Sequence, residues 1–377
     1  MSEPFHPNGL PLAIPPPATL SVAPARKLAV MIIEDSLVVR ELLQHIISRD
    51  ARLEIVASVG SGEAALKLLR EVRPDVISLD IRLPGMSGFE ATQRIMSERP
   101  TPIVVVSSDV EDDELKISMN ALRAGALAVV QKPAGLSHAD YEALAENLCT
   151  KLAIMSQVRV IRQRYGTAAA MPLSRSAPAA EPKARRSSAR PRVLGLVAST
   201  GGPNALVRLL NELKPGFPAP VLVVQHIAAG FLPGFVRWMD DEVSLPVREA
   251  AHGMAMEDGV VYVAPADRHL VATGREELHL TSGAPLGNHR PSGTVLFRSL
   301  ADAFGPAAVG VLLTGMGDDG ALGLKEMYDE GAYTIAEHES SAVVYGMPAA
   351  AVKLSAVSEV LPLPRIGERL NRLFSQL

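Results

Sequence analysis

The sequence predicts an α/β protein of two doubly wound parallel-sheet domains joined by a linker. Three observations carry that expectation. Apolar runs of strand length alternate with amphipathic segments over residues 27–150. The same alternation resumes at Val193 and continues almost to the end, giving a second domain over 193–377. Between them, residues 151–192 become rich in Ala, Pro, Ser and Arg and lose nearly all apolar periodicity after Tyr165.

In the first domain, Leu28–Ile33, Asp75–Leu79, Ile103–Val106 and Leu127–Val130 read as buried parallel strands, with a weaker strand at Glu54–Ser58. Val38, Leu42 and Ile46 recur at helical spacing. Five βα units in succession make a small doubly wound sheet. In the second domain, strands are expected at Val193–Ala198, Val221–Gln225, Val260–Ala264, Ala308–Leu313 and Tyr333–Ala336.

The two irregular stretches read differently. Residues 1–26 carry Pro4, Pro7, Pro11, Pro15, Pro16, Pro17 and Pro24 and lack a basic start before an apolar core. They are expected to form a disordered arm, not a signal peptide. In 151–192, ten basic residues face one acidic residue, Glu181, which gives a flexible linker or, alternatively, a basic tether for an acidic partner or a membrane surface.

Composition narrows the function. Hydrophobic residues are 47% and charged residues 21%, a core-forming balance, and only 4% are aromatic, so aliphatic packing fills the core. A net charge of −4 gives no case for nucleic acid as the main partner. The lone cysteine, Cys149, excludes an intrachain disulfide and suits a reducing compartment. The apolar runs fall short of the roughly 18–20 residues a spanning helix needs. A cytoplasmic protein with no direct membrane insertion is expected.

Polar residues gather at the strand ends of the first domain. Glu34 and Asp35 follow the first strand, Asp80 the third, Ser107 the fourth and Lys132 the fifth. Ligands of open parallel sheets bind beyond the carboxyl ends of the strands, so these side chains can converge. Three carboxylates together need a cation, and Mg²⁺ prefers such oxygen ligands. Asp80 can then attack a phosphoryl donor, Lys132 can neutralise the transferred oxygens, and Ser107 can donate a hydrogen bond to the product. A single Asp after a strand is usually a turn former or helix cap, and only the joint pattern points to phosphoryl chemistry.

The second domain offers a nucleophile, a base and an acid. Ser199-Thr200-Gly201-Gly202-Pro203 sits on a strand-to-helix turn, where a serine is exposed at the top of the sheet. A plain helix cap at Ser199 or Thr200 is the competing reading. His226 closes the run Val221–Gln225 and so reaches the same edge as base. Thr314-Gly315-Met316-Gly317-Asp318-Asp319-Gly320 supplies an orienting carboxylate, with spacing unable to choose between Asp318 and Asp319.

Residues 28–148 resemble the receiver domain of two-component response regulators, carried by the acidic pair, Ser78-Leu79-Asp80-Ile81, Ser107 and Lys132-Pro133. The resemblance implies a flavodoxin-like fold, Asp80 as the phosphorylation site, Mg²⁺ held by Glu34, Asp35 and Asp80, Ser107 and Lys132 as switch residues, and a histidine kinase as phosphodonor. Val129 stands where many receivers carry an aromatic switch residue. Residues 193–363 resemble the catalytic domain of chemotaxis protein-glutamate methylesterases, the CheB family, through Ala198-Ser199-Thr200-Gly201-Gly202, Val224-Gln225-His226, His289-Arg290-Pro291-Ser292 and Leu313 to Gly320. This implies a larger three-layer α/β/α hydrolase domain that needs no cofactor. Its triad maps to Ser199, His226 and Asp319, and its oxyanion loop to Met316, Thr200 and Gly201. The implied substrate is a glutamyl methyl ester, or a glutamine, on a chemoreceptor. Val197 stands where the family usually has Gly, and Ser292-Gly293-Thr294-Val295 also departs from its common pattern. The alternatives are a response regulator that only binds a partner and a DNA-binding regulator, the latter disfavoured by the charge and by the absence of a helix-turn-helix pattern.

Overall fold

The computed structural model describes residues 26–107, 119–133, 141–158, 160 and 189–375. The expected proline-rich arm, save Arg26, and most of the linker, 161–188, lie outside the described residues.

The first sheet comprises β1 (Leu28–Ile33), β2 (Leu53–Val59), β3 (Val76–Asp80), β4 (Ile103–Ser107) and β5 (Ala128–Gln131) in the order β2-β1-β3-β4-β5, all parallel. Both faces are covered. Val30 and Ile32 pack towards helices Leu37–Arg49 and Tyr141–Met155, while Met31 and Ile33 pack towards helices Gly62–Leu68 and Gly88–Glu98. Burial on both faces is why the strands read as unbroken apolar runs. Ser36, Ser61 and Ser87 cap three of the helices, each accepting a backbone N–H of the first turn. β3 and β5 begin and end one residue later than the sequence predicts, and β4 ends one residue later, so Asp80 and Ser107 close β3 and β4 instead of following them.

The second sheet has seven parallel strands: β6 (Val193–Ala198), β7 (Val221–Gln225), β8 (Val247–Glu249), β10 (Val261–Val263), β13 (Ala308–Leu312), β14 (Tyr333–Glu337) and β15 (Glu359–Leu361). Their order is β15-β14-β13-β6-β7-β10-β8. Helices Gly202–Glu212, Leu232–Glu242 and Leu363–Ser375 cover one face; Gly293–Phe304, Ala321–Asp329 and Met347–Lys353 cover the other. A separate antiparallel sheet of β9 (Met254–Ala255), β11 (His269–Ala272) and β12 (Glu277–Thr281) was not anticipated. These strands are short and partly exposed, so they leave no strand-length apolar run. Among the described residues no helix is long and apolar enough to cross a membrane.

The departure at Val197 is absorbed by packing. Val197 is fully buried, and a Cβ built on Gly293 would lie 2.3 Å from its Cγ1. The volume added on β6 is thus matched by the volume missing at the start of helix Gly293–Phe304. Gly293→Ala is expected to destabilise the protein by about 1–3 kcal/mol through overpacking. Combining it with Val197→Ala should recover part of that loss. Denaturant unfolding of the four proteins measures the coupling; strictly additive effects would show that the two positions do not constrain each other.

Candidate active site

The order of the second sheet reverses about β6, which leaves a crevice beyond its carboxyl end, flanked by β7 and β13. Ser199 follows β6 and His226 follows β7. The His226 N–H donates to the Ala198 carbonyl at 3.1 Å, and the Ser199 N–H to the Thr314 carbonyl at 3.0 Å. Gln225 Nε2 bridges the carbonyls of Ser199 and His226 at 2.9 Å each. A Cβ on Gly202 would fall 2.1 Å from Gln225 Oε1, so this bridge requires glycine there. Behind it, the Thr314 hydroxyl donates to the Thr200 carbonyl at 2.9 Å, and the Thr314 N–H donates to buried Glu337 at 2.8 Å. Burial pushes the Glu337 carboxyl up, against the lowering effect of hydrogen bonds from Ser341 and Thr314.

Asp319, not Asp318, is the orienting acid of the geometry. Asp318 is exposed, whereas Asp319 is buried with Oδ2 2.9 Å from His226 Nε2. The Ser292 hydroxyl donates to Oδ1 at 2.7 Å. The N–H groups of Gly293 and Thr294, opening helix Gly293–Phe304, donate at 2.7 and 3.1 Å. Burial raises the Asp319 pKa, but the His226 contact and charge and the donors from Ser292 and Gly293 outweigh it. The carboxyl is held well below the usual range. Ser292, Gly293, Gln225 and Glu337 hold places in this site that the sequence alone does not assign. A polar residue closing an apolar strand run, as Gln225 and Glu337 do, was the available signal.

The structure joins His226 to Asp319 and places Ser199 on the neighbouring strand end. Among the described residues His226 Nδ1 has no hydrogen-bond partner, so the bond to the Ser199 hydroxyl is not formed. The plain-cap reading of Ser199 and Thr200 does not hold. Gly201 is the N-cap at φ 79°, with no side-chain cap bond, and a Cβ there would meet Val343 at 2.5 Å. Met316 is exposed, and its N–H forms no hydrogen bond among the described residues. A Cβ on neighbouring Gly315 would lie 2.8 Å from Ser199 Cβ, so this loop lies against the serine. From the first domain, Lys151 Nζ donates to the Thr200 hydroxyl at 2.5 Å, and burial pushes its amine down to about 8.

In the first domain, Glu34, Asp35 and Asp80 present oxygens within 4.8 Å of one another. Lys132 Nζ lies 2.9 Å from Glu34 and 3.0 Å from Asp80. Burial raises the pKa of both carboxyls, and Asp80 raises that of Glu34 further, against the lowering pull of Lys132. A crowded set of hard oxygen donors with one ammonium fits a divalent cation such as Mg²⁺. Ser107 is buried at the same edge, its carbonyl accepting the Lys132 N–H at 2.8 Å. Val129, at the position of the usual aromatic switch, packs against the core.

Comparison with known proteins gives matches to both domains. A family model described as CheB methylesterase matches residues 194–370, and one described as response regulator receiver domain matches 30–140. The protein-glutamate methylesterase/protein-glutamine glutaminase 2 of Paramagnetospirillum magneticum is 52% identical over 351 residues, covering 92% of this chain and 98% of that protein. The protein-glutamate methylesterase/protein-glutamine glutaminase 4 of Myxococcus xanthus is 45% identical over 348 residues, covering 92% and 97%. The crystal structure of the Thermotoga maritima CheB methylesterase catalytic domain aligns with 48% of this chain and 98% of its own, at 33% identity and a TM-score of 0.48.

Asp319 has a folded pKa below its unfolded one. The stability it contributes is therefore fully present above about pH 4 and is lost as pH falls through the acid range below. Ser292→Ala should cost about 1–2 kcal/mol at neutral pH by removing one donor to a charged group. It should also raise the folded carboxyl pKa, so that stability declines less steeply on the acid side. Denaturant unfolding across pH tests both effects; an unaltered acid-side slope would show that the hydroxyl does not hold the carboxylate.

Proposed function

We infer the function from one premise: this chain belongs to the CheB methylesterase family, with a receiver domain ahead of the catalytic domain. On that premise it hydrolyses glutamyl methyl esters of chemoreceptors, and glutamine amides by the same acyl chemistry. The observation that carries the reading is the Asp319–His226 pair, held at the strand end beside Ser199. Ser199 is the nucleophile. Its hydroxyl proton passes to His226 Nδ1 as oxygen bonds to the ester carbon, while Asp319 accepts from Nε2–H and stabilises the imidazolium. Backbone N–H groups at Met316 and along the Thr200–Gly201 loop face the developing oxyanion. The C–O bond to methoxide breaks, the imidazolium returns its proton, and methanol leaves; from a glutamine the leaving group is ammonia. Water, deprotonated by His226, then frees Ser199.

The receiver controls access to this site. Asp80 accepts a phosphoryl group from a histidine kinase, with Glu34, Asp35 and Asp80 holding Mg²⁺. When bound, the ion supplies positive charge against the phosphoryl oxygens. Lys132 pairs with those oxygens, and Ser107 donates to them. In the arrangement described here, Lys151 ties the helix Tyr141–Met155 to Thr200, next to the nucleophile. Phosphorylation shifts the population away from it. A partner-binding regulator without catalysis does not explain a buried carboxylate aimed at His226.

Ser199→Ala should reduce methanol release from methylated receptor by at least about a thousandfold, the scale of a lost triad member. Retained turnover would remove the mechanism. Acetyl phosphate with Mg²⁺ should label wild-type protein but not Asp80→Asn; equal labelling would overturn the phosphorylation site. Lys151→Ala should raise the rate without phosphodonor by up to about tenfold, the equivalent of one lost hydrogen bond. An unchanged basal rate would show that the amine does not restrain the site.

A further inference from the structure

We propose that His289 is a positioning residue for the general base. Its imidazole, stacked on His226, holds that ring where Nε2 stays on Asp319 and Nδ1 is left to take the nucleophile's proton. The two ring centroids are 4.0 Å apart and the planes differ by 8°. The only polar contact of the His226 ring among the described residues is the Asp319 bond, a single edge about which the ring can tilt. A flat group against its face removes that freedom, which a hydrogen bond along one edge cannot do.

His289 is itself firmly mounted. Leu286 and His289 exchange reciprocal backbone hydrogen bonds at 3.1 and 3.0 Å, across a two-residue turn with Gly287 at φ 57° and Asn288 at φ 71°. Positive φ at both central residues is what the tightest hairpin turn requires. Three residues later the same segment donates to Asp319 through Ser292, Gly293 and Thr294. One stretch of chain, 286–294, therefore fixes both the face of the base and the acid behind it.

The stack also suits the charge that forms during the reaction. The ionisable groups facing His289 are His226, Asp319, Asp318 and Lys151. Burial lowers the His289 pKa most, and His226 and Lys151 lower it further, against the two carboxylates. A neutral ring turns its electron-rich face to the imidazolium that His226 becomes. Two adjacent cations would instead repel, which favours the neutral form of His289 beside that imidazolium.

The proposal rests on the esterase reading above, and a pair of variants tests it. His289→Phe keeps a flat ring that cannot titrate; His289→Leu fills the space without one. Methanol release should fall about tenfold or more in kcat for His289→Leu, with KM within about twofold, and recover to within about threefold of wild type for His289→Phe. NMR of full-length protein should show the His226 ring protons shielded by the stacked ring in wild type and in His289→Phe, and not in His289→Leu. Equal kcat in His289→Leu and wild type, or equal impairment of both variants, would overturn the proposal, as would His226 ring-proton shifts that His289→Leu leaves unchanged. The NMR readout needs no substrate. A wild-type protein that released no methanol would defeat the esterase reading and leave the stack still under test.

Discussion

One buried negative charge organises the catalytic domain. Asp319 lies out of water, and an unpaired carboxylate there would cost several kcal/mol. It is satisfied by the Ser292 hydroxyl, by two N–H groups at the start of helix Gly293–Phe304 and by His226. That demand brings the helix end against the loop after β13. The approach is close enough that Gly293 can carry no Cβ beside Val197, and that Gly320, at φ 88°, sends its N–H to the Thr294 hydroxyl at 2.8 Å. The packing of the sheet face covered by helix Gly293–Phe304 thus follows from the need to surround a charge. The same charge fixes which nitrogen of His226 carries hydrogen, and so which is free to accept it.

The two domains place reactive groups at the same edge of a parallel sheet but treat their carboxylates oppositely. Asp319 is surrounded by donors and held ionised. Glu34 and Asp80 are buried together, and their pKa values rise in spite of Lys132. The first arrangement is complete within the chain, as an orienting acid must be throughout a catalytic cycle. The second is short of positive charge, as suits a site that takes in a cation and then a phosphoryl group. Sheet topology therefore sets where chemistry occurs, while the balance of donors and burial sets which chemistry it is.

What the sequence revealed follows from the same physics. Strands buried on both faces write themselves as apolar runs, so Leu28–Ile33, Val193–Ala198 and Val221–Gln225 were legible to the residue. Asp80 at the end of β3, and Ser199 and His226 just beyond β6 and β7, were legible because position at the end of such a run is itself a functional signal. The segment 286–294 carries no periodicity, so nothing local announced that His289 would meet His226 or that Ser292 would meet Asp319. Those contacts join elements far apart in the chain and exist only after packing. The choice between Asp318 and Asp319 turned on which faced inward, a fact of burial that the spacing of two adjacent acids does not contain. β9, β11 and β12 escaped for a related reason: short, partly exposed strands bury too little to leave a pattern.

The contact between the domains is scaled for a switch. Among the described residues its polar part includes Lys151 to the Thr200 hydroxyl, Asn204 to the Leu122 carbonyl at 3.0 Å, and the Arg123–Glu242 ion pair at 2.9 Å. Arg123 is mostly exposed, so its pair contributes about 0–1 kcal/mol, and each hydrogen bond about 1. Lys151 sits in this contact at a desolvation cost, which its lowered pKa records. A buried amine bound to a hydroxyl is a weak tie; a carboxylate partner there would have made a strong one. Moving a two-state equilibrium from one side to the other takes only a few kcal/mol of differential interaction. On the proposed reading, these polar ties hold the receiver helix beside Ser199 and are weak enough to yield to a change of charge at Asp80. They do so while the Ser199–His226 bond is unformed, so restraint of the loop and incompleteness of the triad belong to the same state.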